Sequence, residues 1–453
     1  MHDRIDHLLG STTGALALAI VLVGALAVPA SAGLDDKLKE QTNTTYTLLP
    51  EQGVVHVESV VTLTNKAKTT QRKGKCKNGR GTCTITSRPY FYDWKYFWTP
   101  AYAENVVIGG PKVKAKPAEE VSDGLRYSVT YPRLWNEKGA KQKVTIGFDL
   151  PSNTVESANG RTRIEEAYAF FCWWGMPGDT GTTKAVLPAG WEVSYDEDVV
   201  IEQWPEATYV TARSKKDPWS FADCVEAHDP RALERTYVTG ESGQSLVVVE
   251  SWPGHDDWAA EAAEVAGESL TALESILGTP LPYGELRIRQ VARQARDYTW
   301  ADLRPRDGVV RISEQVDVDG FVPGQLARAW IDPHHFSSTW LGEGIALWLA
   351  YESDGGSCWD PEPYPGTGTP DIDEWQPEQG SAAMSQWQLD TACEIITTGA
   401  EVIGDDAMVA LVHELIDTPV PVGTSHWLAG VSRELPEGLD RVVAALDAAG
   451  ADH

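Results

Sequence analysis

Two periodicities divide the chain. From about Leu34 to Trp252, apolar residues alternate with polar ones or gather in short β-branched runs. Examples are Val54-Val55-His56-Val57-Glu58-Ser59-Val60-Val61-Thr62-Leu63, Arg126-Tyr127-Ser128-Val129-Thr130-Tyr131, Lys143-Val144-Thr145-Ile146-Gly147-Phe148 and Ser245-Leu246-Val247-Val248-Val249. A period of two, broken by clusters of Pro, Gly, Asn and Asp, predicts many short strands in an antiparallel β-sandwich. No amphipathic helix of useful length interrupts this half.

Beyond Trp252 the period becomes helical. Asp256 to Leu277 places apolar residues at helix spacing, and Gly278, Pro280 and Pro282 end the run. Leu286 to Val291 and Gly308 to Ser313 are strand candidates. A helix follows with Pro323 at its first position, Pro333 ends it, and Ser338 is placed to cap another beginning at Thr339. Asp354 to Glu378 is rich in Gly, Pro, Asp and Trp without periodicity, a long loop; helices are predicted at Ala382 to Thr398, Asp406 to Ile416 and Pro436 to Ala449. His413 then falls on a helix and His426 in a loop. The fold class is therefore α+β: an N-terminal antiparallel β-sandwich over residues 33–252, then a mainly helical domain with a small sheet over 253–453.

Residues 1–32 are set apart. An apolar run from Ala15 to Val28 precedes Pro29-Ala30-Ser31-Ala32, which fits a signal peptide cleaved before Gly33, with an uncleaved N-terminal anchor as the alternative. No later stretch reaches the roughly 20 apolar residues of a membrane span, so no transmembrane segment is expected in the mature chain. The six cysteines, 76, 83, 172, 224, 358 and 393, all follow the signal. An even number in an exported chain favours disulfides over metal binding. Cys76 and Cys83 bracket a turn-rich loop and suit a stapled hairpin, while the remaining connectivity stays open. Together these features predict a secreted or extracytoplasmic protein of the cell envelope.

The 453 residues are 42% hydrophobic and 23% charged, enough for more than one folded core, with a formal net charge of −28. So acidic a surface excludes nucleic-acid binding, which needs positive charge along the backbone path. Against that background Lys66, Lys68, Arg72, Lys73, Lys75, Lys77 and Arg80 form a basic run, followed by Tyr90-Phe91-Tyr92-Asp93-Trp94-Lys95-Tyr96-Phe97-Trp98. One reading is a projecting loop that touches an anionic envelope polymer or lipid head groups. The other, preferred here, is a solvated hairpin whose aromatics fill the sandwich core, and Trp173-Trp174 is read as packing in the same way.

The stretch that bears on chemistry is Gly324 to Ser353. Its first helix reads Gly324-Gln325-Leu326-Ala327-Arg328-Ala329-Trp330 and its second Trp340-Leu341-Gly342-Glu343-Gly344-Ile345-Ala346. With the long helix, Gly-x-Pro-x-Pro turn and strands before it, this resembles the gluzincins, the aminopeptidase-N-like and shorter peptidase MA-like domains. In those, H-E-L-A-H-x-W lies on one helix and W-L-x-E-G-x-A on the next. The resemblance covers about the last 200 residues. It implies two zinc histidines one turn apart, a general-base glutamate beside them and a third ligand from the second helix. Here Gly324 and Arg328 stand at the histidine positions and Gln325 at the base; only Glu343 matches.

Glycine has no donor atom, arginine is a permanent cation, and an amide cannot take a proton from water at neutral pH. No catalytic residue and no cofactor are therefore expected at these degenerate positions. The Arg328 guanidinium is instead predicted to occupy the volume of the ion and pair with Glu343. The function expected is that of an exported, inactive gluzincin homologue, a pseudoenzyme, that binds a peptide or a cell-envelope component. The alternative is a zinc metallopeptidase with divergent ligands, for which His334, His335 and Glu343 would have to supply the metal site.

Overall fold

The computed structural model describes residues 37–451 apart from 68–70, 77–79, 87–90, 122–123, 137–139, 153–161, 177, 195–198, 213–221, 293–300, 305–307, 315–317, 332–334, 355, 357, 359–362, 367–370 and 373–381. The segment read as a signal peptide, 1–32, and His334 thus lie outside the described residues, as do Lys68 and Lys77.

The first strands are β1 (Leu38–Leu49), β2 (Val54–Asn65), β3 (Gln71–Lys75), β4 (Thr82–Thr86), β5 (Phe91–Pro100), β6 (Glu104–Gly109) and β7 (Lys114–Val121). Next come β8 (Gly124–Trp135), β9 (Lys141–Pro151), β10 (Thr162–Ile164), β11 (Tyr168–Trp174), β12 (Thr180–Pro188), β13 (Glu192–Ser194) and β14 (Val199–Gln203). The last are β15 (Ala207–Ala212), β16 (Ala222–His228), β17 (Glu234–Thr239), β18 (Leu246–Ser251), β19 (Glu285–Val291), β20 (Ala301–Arg304) and β21 (Val309–Ser313).

One wall of the sandwich is a seven-stranded sheet in the order β14-β15-β12-β1-β2-β9-β6, antiparallel except where β1 runs parallel to β12. Two smaller sheets, β5-β8-β7 and β10-β11-β16-β13, face it. The alternation seen in sequence becomes a two-sided burial pattern. Val55, Val57, Val61 and Leu63 of β2 meet Phe97 and Val129 from one facing sheet and Phe171 and Trp173 from the other in a single core. Tyr46 ties the walls together: its hydroxyl donates to Trp174 O at 2.9 Å and accepts from Trp174 N at 3.2 Å. A phenol stranded so deep keeps its proton, and burial pushes its pKa far up. Trp173 is fully buried, which agrees with packing rather than ligand recognition.

The aromatic run departs from expectation. Phe97 enters the core, but Trp94 and Tyr96 are 54% and 47% exposed. They sit on the opposite side of β5 from Phe97, as strand alternation requires. The basic run is a hairpin, β3 against β4, stapled by Cys76–Cys83.

The second core surrounds a five-stranded sheet, β17-β18-β19-β21-β20, in which β18, β19 and β21 are parallel. Here the boundary at residue 252 needs correction, because β17 and β18 pair with this sheet and not with the sandwich. Leu246 to Val249 is a short, nearly continuous apolar run, the pattern of a parallel strand covered on both faces. Its parallel neighbour β19 arrives only after the helix α1 (Asp256–Leu277). Strand β20, which the sequence pattern does not predict, adds an antiparallel edge beside β21.

The remaining helices are α2 (Val318–Trp330), α3 (Thr339–Asp354), α4 (Ala382–Ile403), α5 (Asp405–Asp417), α6 (Thr424–Glu434) and α7 (Leu439–Ala449). Helix α2 begins five residues before Pro323, which therefore lies inside it. The closing helix is split, a 3-10 turn at Pro436–Gly438 preceding α7. Helix α6 replaces the expected loop, and His426 in its first turn accepts a hydrogen bond from Gly423 N at 3.2 Å. The stretch after Asp354 is held by Cys358–Cys393 and by buried Ile372, whose N–H donates to Ala449 O at 3.1 Å.

Between the two parts, Trp252 stacks on Tyr168 at 4.7 Å. Beside this contact Arg289 donates to Glu250 through Nε at 2.8 Å and Nη2 at 2.6 Å. His228 faces the same arginine, and burial together with the Arg289 and Arg311 cations lowers its pKa to about 3. It is a neutral imidazole at physiological pH.

Candidate functional site

Helices α2 and α3 are packed against each other and share one apolar core. Leu326, Ala327 and Trp330 of α2 and Trp340, Leu341, Ile345 and Ala346 of α3 are buried in it. Much of the second motif therefore serves packing. A Cβ at Gly344 would come within 2.6 Å of Ala392 O, so this glycine lets α3 approach α4. Gly342 meets Phe336 in the same manner, at 3.1 Å. Trp340 packs edge-on against Trp427 of α6, the ring centroids 5.8 Å apart.

The polar residues left over from this packing converge. Arg328 donates from Nε at 2.8 Å and from Nη2 at 2.5 Å to the same oxygen, Oε2 of Glu343. The two side chains are only 16% and 15% exposed. Gly324 lies one turn before Arg328, and a Cβ there would stand 3.6 Å from Arg328 Nη1. The guanidinium thus folds back over the glycine on its way to α3. A Cβ at 324 would be in ordinary van der Waals contact with the guanidinium, and only a side chain extending beyond it would compete for that volume. Arg328 Nη1 and Glu343 Oε1 have no protein partner among the described residues. Gln325 is 5% exposed, and its Oε1 is buried without a partner.

A zinc ion does not fit this donor set. Zinc needs three ligands carrying lone pairs, and here one position offers no atom and another holds a fixed positive charge. Glu343 has already spent one carboxylate oxygen on that charge. Of the substitute ligands, His334 lies outside the described residues. His335 donates from Nε2 to Leu415 O at 2.9 Å and sets its ring edge-on to Phe336. Its backbone carbonyl accepts from Val422 N at 3.0 Å. The histidine fastens the α2–α3 connection to the end of α5. No group of three or more His, Cys, Asp and Glu side chains is arranged to hold a metal among the described residues.

The pair is expected to matter for stability. Breaking a buried ion pair by removing one partner leaves an uncompensated charge and costs about 3–5 kcal/mol. With both groups slightly exposed, Arg328→Met should cost roughly 3 kcal/mol, read from urea melts. Adding Glu343→Gln should return most of the loss. Additive losses in the double variant would show that the two side chains do not act as a pair.

No protein-family model matches the chain, and no curated protein is similar to it by sequence. Solved structures are similar in shape. The M1 zinc metallopeptidase from Deinococcus radiodurans matches with 12% identity and a TM-score of 0.41, over 91% of this chain and 95% of that one. Native yeast LTA4 hydrolase matches with 12% identity and a TM-score of 0.39, over 90% of this chain and 67% of that one.

Proposed function

We propose that the chain is a gluzincin-like pseudoenzyme, in which an arginine–glutamate ion pair occupies the place of a catalytic zinc ion. Its role is to bind a peptide or a cell-envelope component rather than to cut a substrate. The observation that carries this reading is the clasp of Arg328 on Glu343 over Gly324. Two of the three changes from the H-E-x-x-H pattern meet in it: Gly324 puts no side chain beside the guanidinium, and Arg328 brings a charge to Glu343, the retained glutamate of the second helix. Gln325 retains the shape of a general base without its proton affinity.

An extracytoplasmic location is supported by the three disulfides and the N-terminal apolar run. Among the described residues no helix is long and apolar enough to cross a membrane. The competing reading, a zinc metallopeptidase with divergent ligands, requires Arg328 to leave Glu343. Metal analysis separates the two. Purified protein is expected to lose its zinc on dialysis to well below one ion per chain. Stoichiometric zinc that survives dialysis, together with release of amino acids from peptides, would establish the competing reading.

A further inference from the structure

The outer face of the β5–β8–β7 sheet brings aromatic rings and cations together. In register, Trp94 lies opposite Thr130 and Thr130 opposite Lys114, while Tyr96 lies opposite Ser128 and Ser128 opposite Lys116. Residues directly opposite one another on neighbouring strands share a face. These six therefore form two rows on one side of the sheet. The reverse side is the inner one, where Phe97 and Val129 are buried in the sandwich core. Trp94 and Tyr96 are about half exposed, and Lys114, Lys116 and Thr130 are exposed. The Trp94 and Tyr96 rings meet edge to face at 5.2 Å. Arg126 lies over the Tyr96 ring at 5.4 Å while donating to Glu119 at 2.9 Å. The rings are fixed by each other and by a cation, with no covering layer among the described residues.

Lys114 and Lys116 have no ion-pair partner among the described residues. This is unusual company for a chain whose formal net charge is −28. At physiological ionic strength charges are screened over ~8 Å. A ligand lying on this face therefore meets the lysines before the acidic remainder of the molecule. The chemistry of the rows identifies what would fit. Two rings set among Ser128, Thr130 and lysine stems offer too little apolar area to sink into hydrocarbon. They do offer flat apolar surfaces for the C–H faces of sugar rings, hydroxyls for sugar hydroxyls and ammonium groups for anions.

We propose that this face binds an acidic polysaccharide, with sugar rings against Trp94 and Tyr96 and its anionic groups on Lys114 and Lys116. The site lies on the sandwich and is independent of whether the helical part holds a metal. It also moves the point of contact from the basic hairpin to a surface formed by aromatics whose sequence pattern suggests the core.

The test is equilibrium binding of the full chain to polygalacturonate, with neutral dextran and phosphatidylglycerol vesicles as comparison arms. Polygalacturonate should bind and dextran should not. Trp94→Ala with Tyr96→Ala should weaken binding at least tenfold. Lys114→Glu with Lys116→Glu should weaken it and flatten its dependence on salt. Lys73→Glu with Lys75→Glu, on the exposed β3–β4 hairpin, should leave it unchanged. All six side chains are surface groups, and thermal melts verify that each variant is folded. Absence of polygalacturonate binding, equal binding to dextran, binding to vesicles alone, or loss in the hairpin variant but not in the face variants would each overturn the proposal.

Discussion

Gly324→His, Gln325→Glu and Arg328→His, made together, should give a chain that keeps a single zinc ion per molecule through dialysis. Positions 324 and 328 are one helical turn apart on α2, so two imidazoles there project from one face. The guanidinium that now occupies this space reaches Glu343 Oε2 at 2.8 and 2.5 Å. Removing it frees the carboxylate and opens the volume between α2 and α3. Zinc needs nitrogen ligands at about 2.0–2.1 Å and carboxylate oxygen at about 2.0–2.2 Å. A zinc ion between these residues would take up room comparable to that of the departed charge. Closed structural zinc sites reach apparent binding free energies of about 10–16 kcal/mol. An open three-ligand site should fall short of that and still retain metal through dialysis. Adding Glu343→Ala to the triple variant should abolish retention. A folded triple variant without zinc would mean that the two helices do not form a zinc frame, and the reading of Arg328 as an ion's replacement would fail with it.

Gly324→His alone should behave in the opposite way. The imidazole would enter the space beside Arg328 Nη1, where even a Cβ stands at 3.6 Å. Positions 324 and 328 are thus neighbours, and a long side chain at 324 would press on the guanidinium that Glu343 holds.

This adjacency was legible in the sequence because a helix fixes which residues share a face. Helix spacing alone places Gly324 and Arg328 on one face; that Glu343 meets them follows from the resemblance to the gluzincin motif, whose matching positions share one ion. What the sequence did not disclose depends on distant partners. Leu246 to Val249 looks like a sandwich strand until β19 is known to lie beside it. Helix α6 carries few apolar residues beyond Trp427, Leu428 and Val431, and Gly430 interrupts its pattern, so its helical period is faint. Pro323 signals a helix start in isolation, yet α2 carries it internally, where it gives up the hydrogen bond that an N–H there would make to the carbonyl of Asp319. Trp94 and Tyr96 belong to a period-two run whose buried face is decided by register. In such a run the larger aromatics need not be the inner ones.

Replacing Cys172 and Cys224 by alanine should lower the stability of the sandwich by about 4 kcal/mol, the loop-entropy value for a bridge of this span. The two residues are direct cross-strand partners on β11 and β16, separated by 52 positions in sequence. Reduction frees a long segment of the unfolded chain, including β12 to β15, from a constraint that the folded sheet already satisfies. The effect should spread beyond the bridge, because Phe171 and Trp173 on β11 are buried in the sandwich core and His228 at the end of β16 touches Arg289 of the second part. The Cys76–Cys83 bridge offers the contrast. It spans 7 positions and closes a two-stranded hairpin. Its removal should loosen the hairpin and leave the main thermal transition nearly in place. Equal shifts of that transition in the two double-alanine variants would refute the assignment of the larger effect to the long bridge.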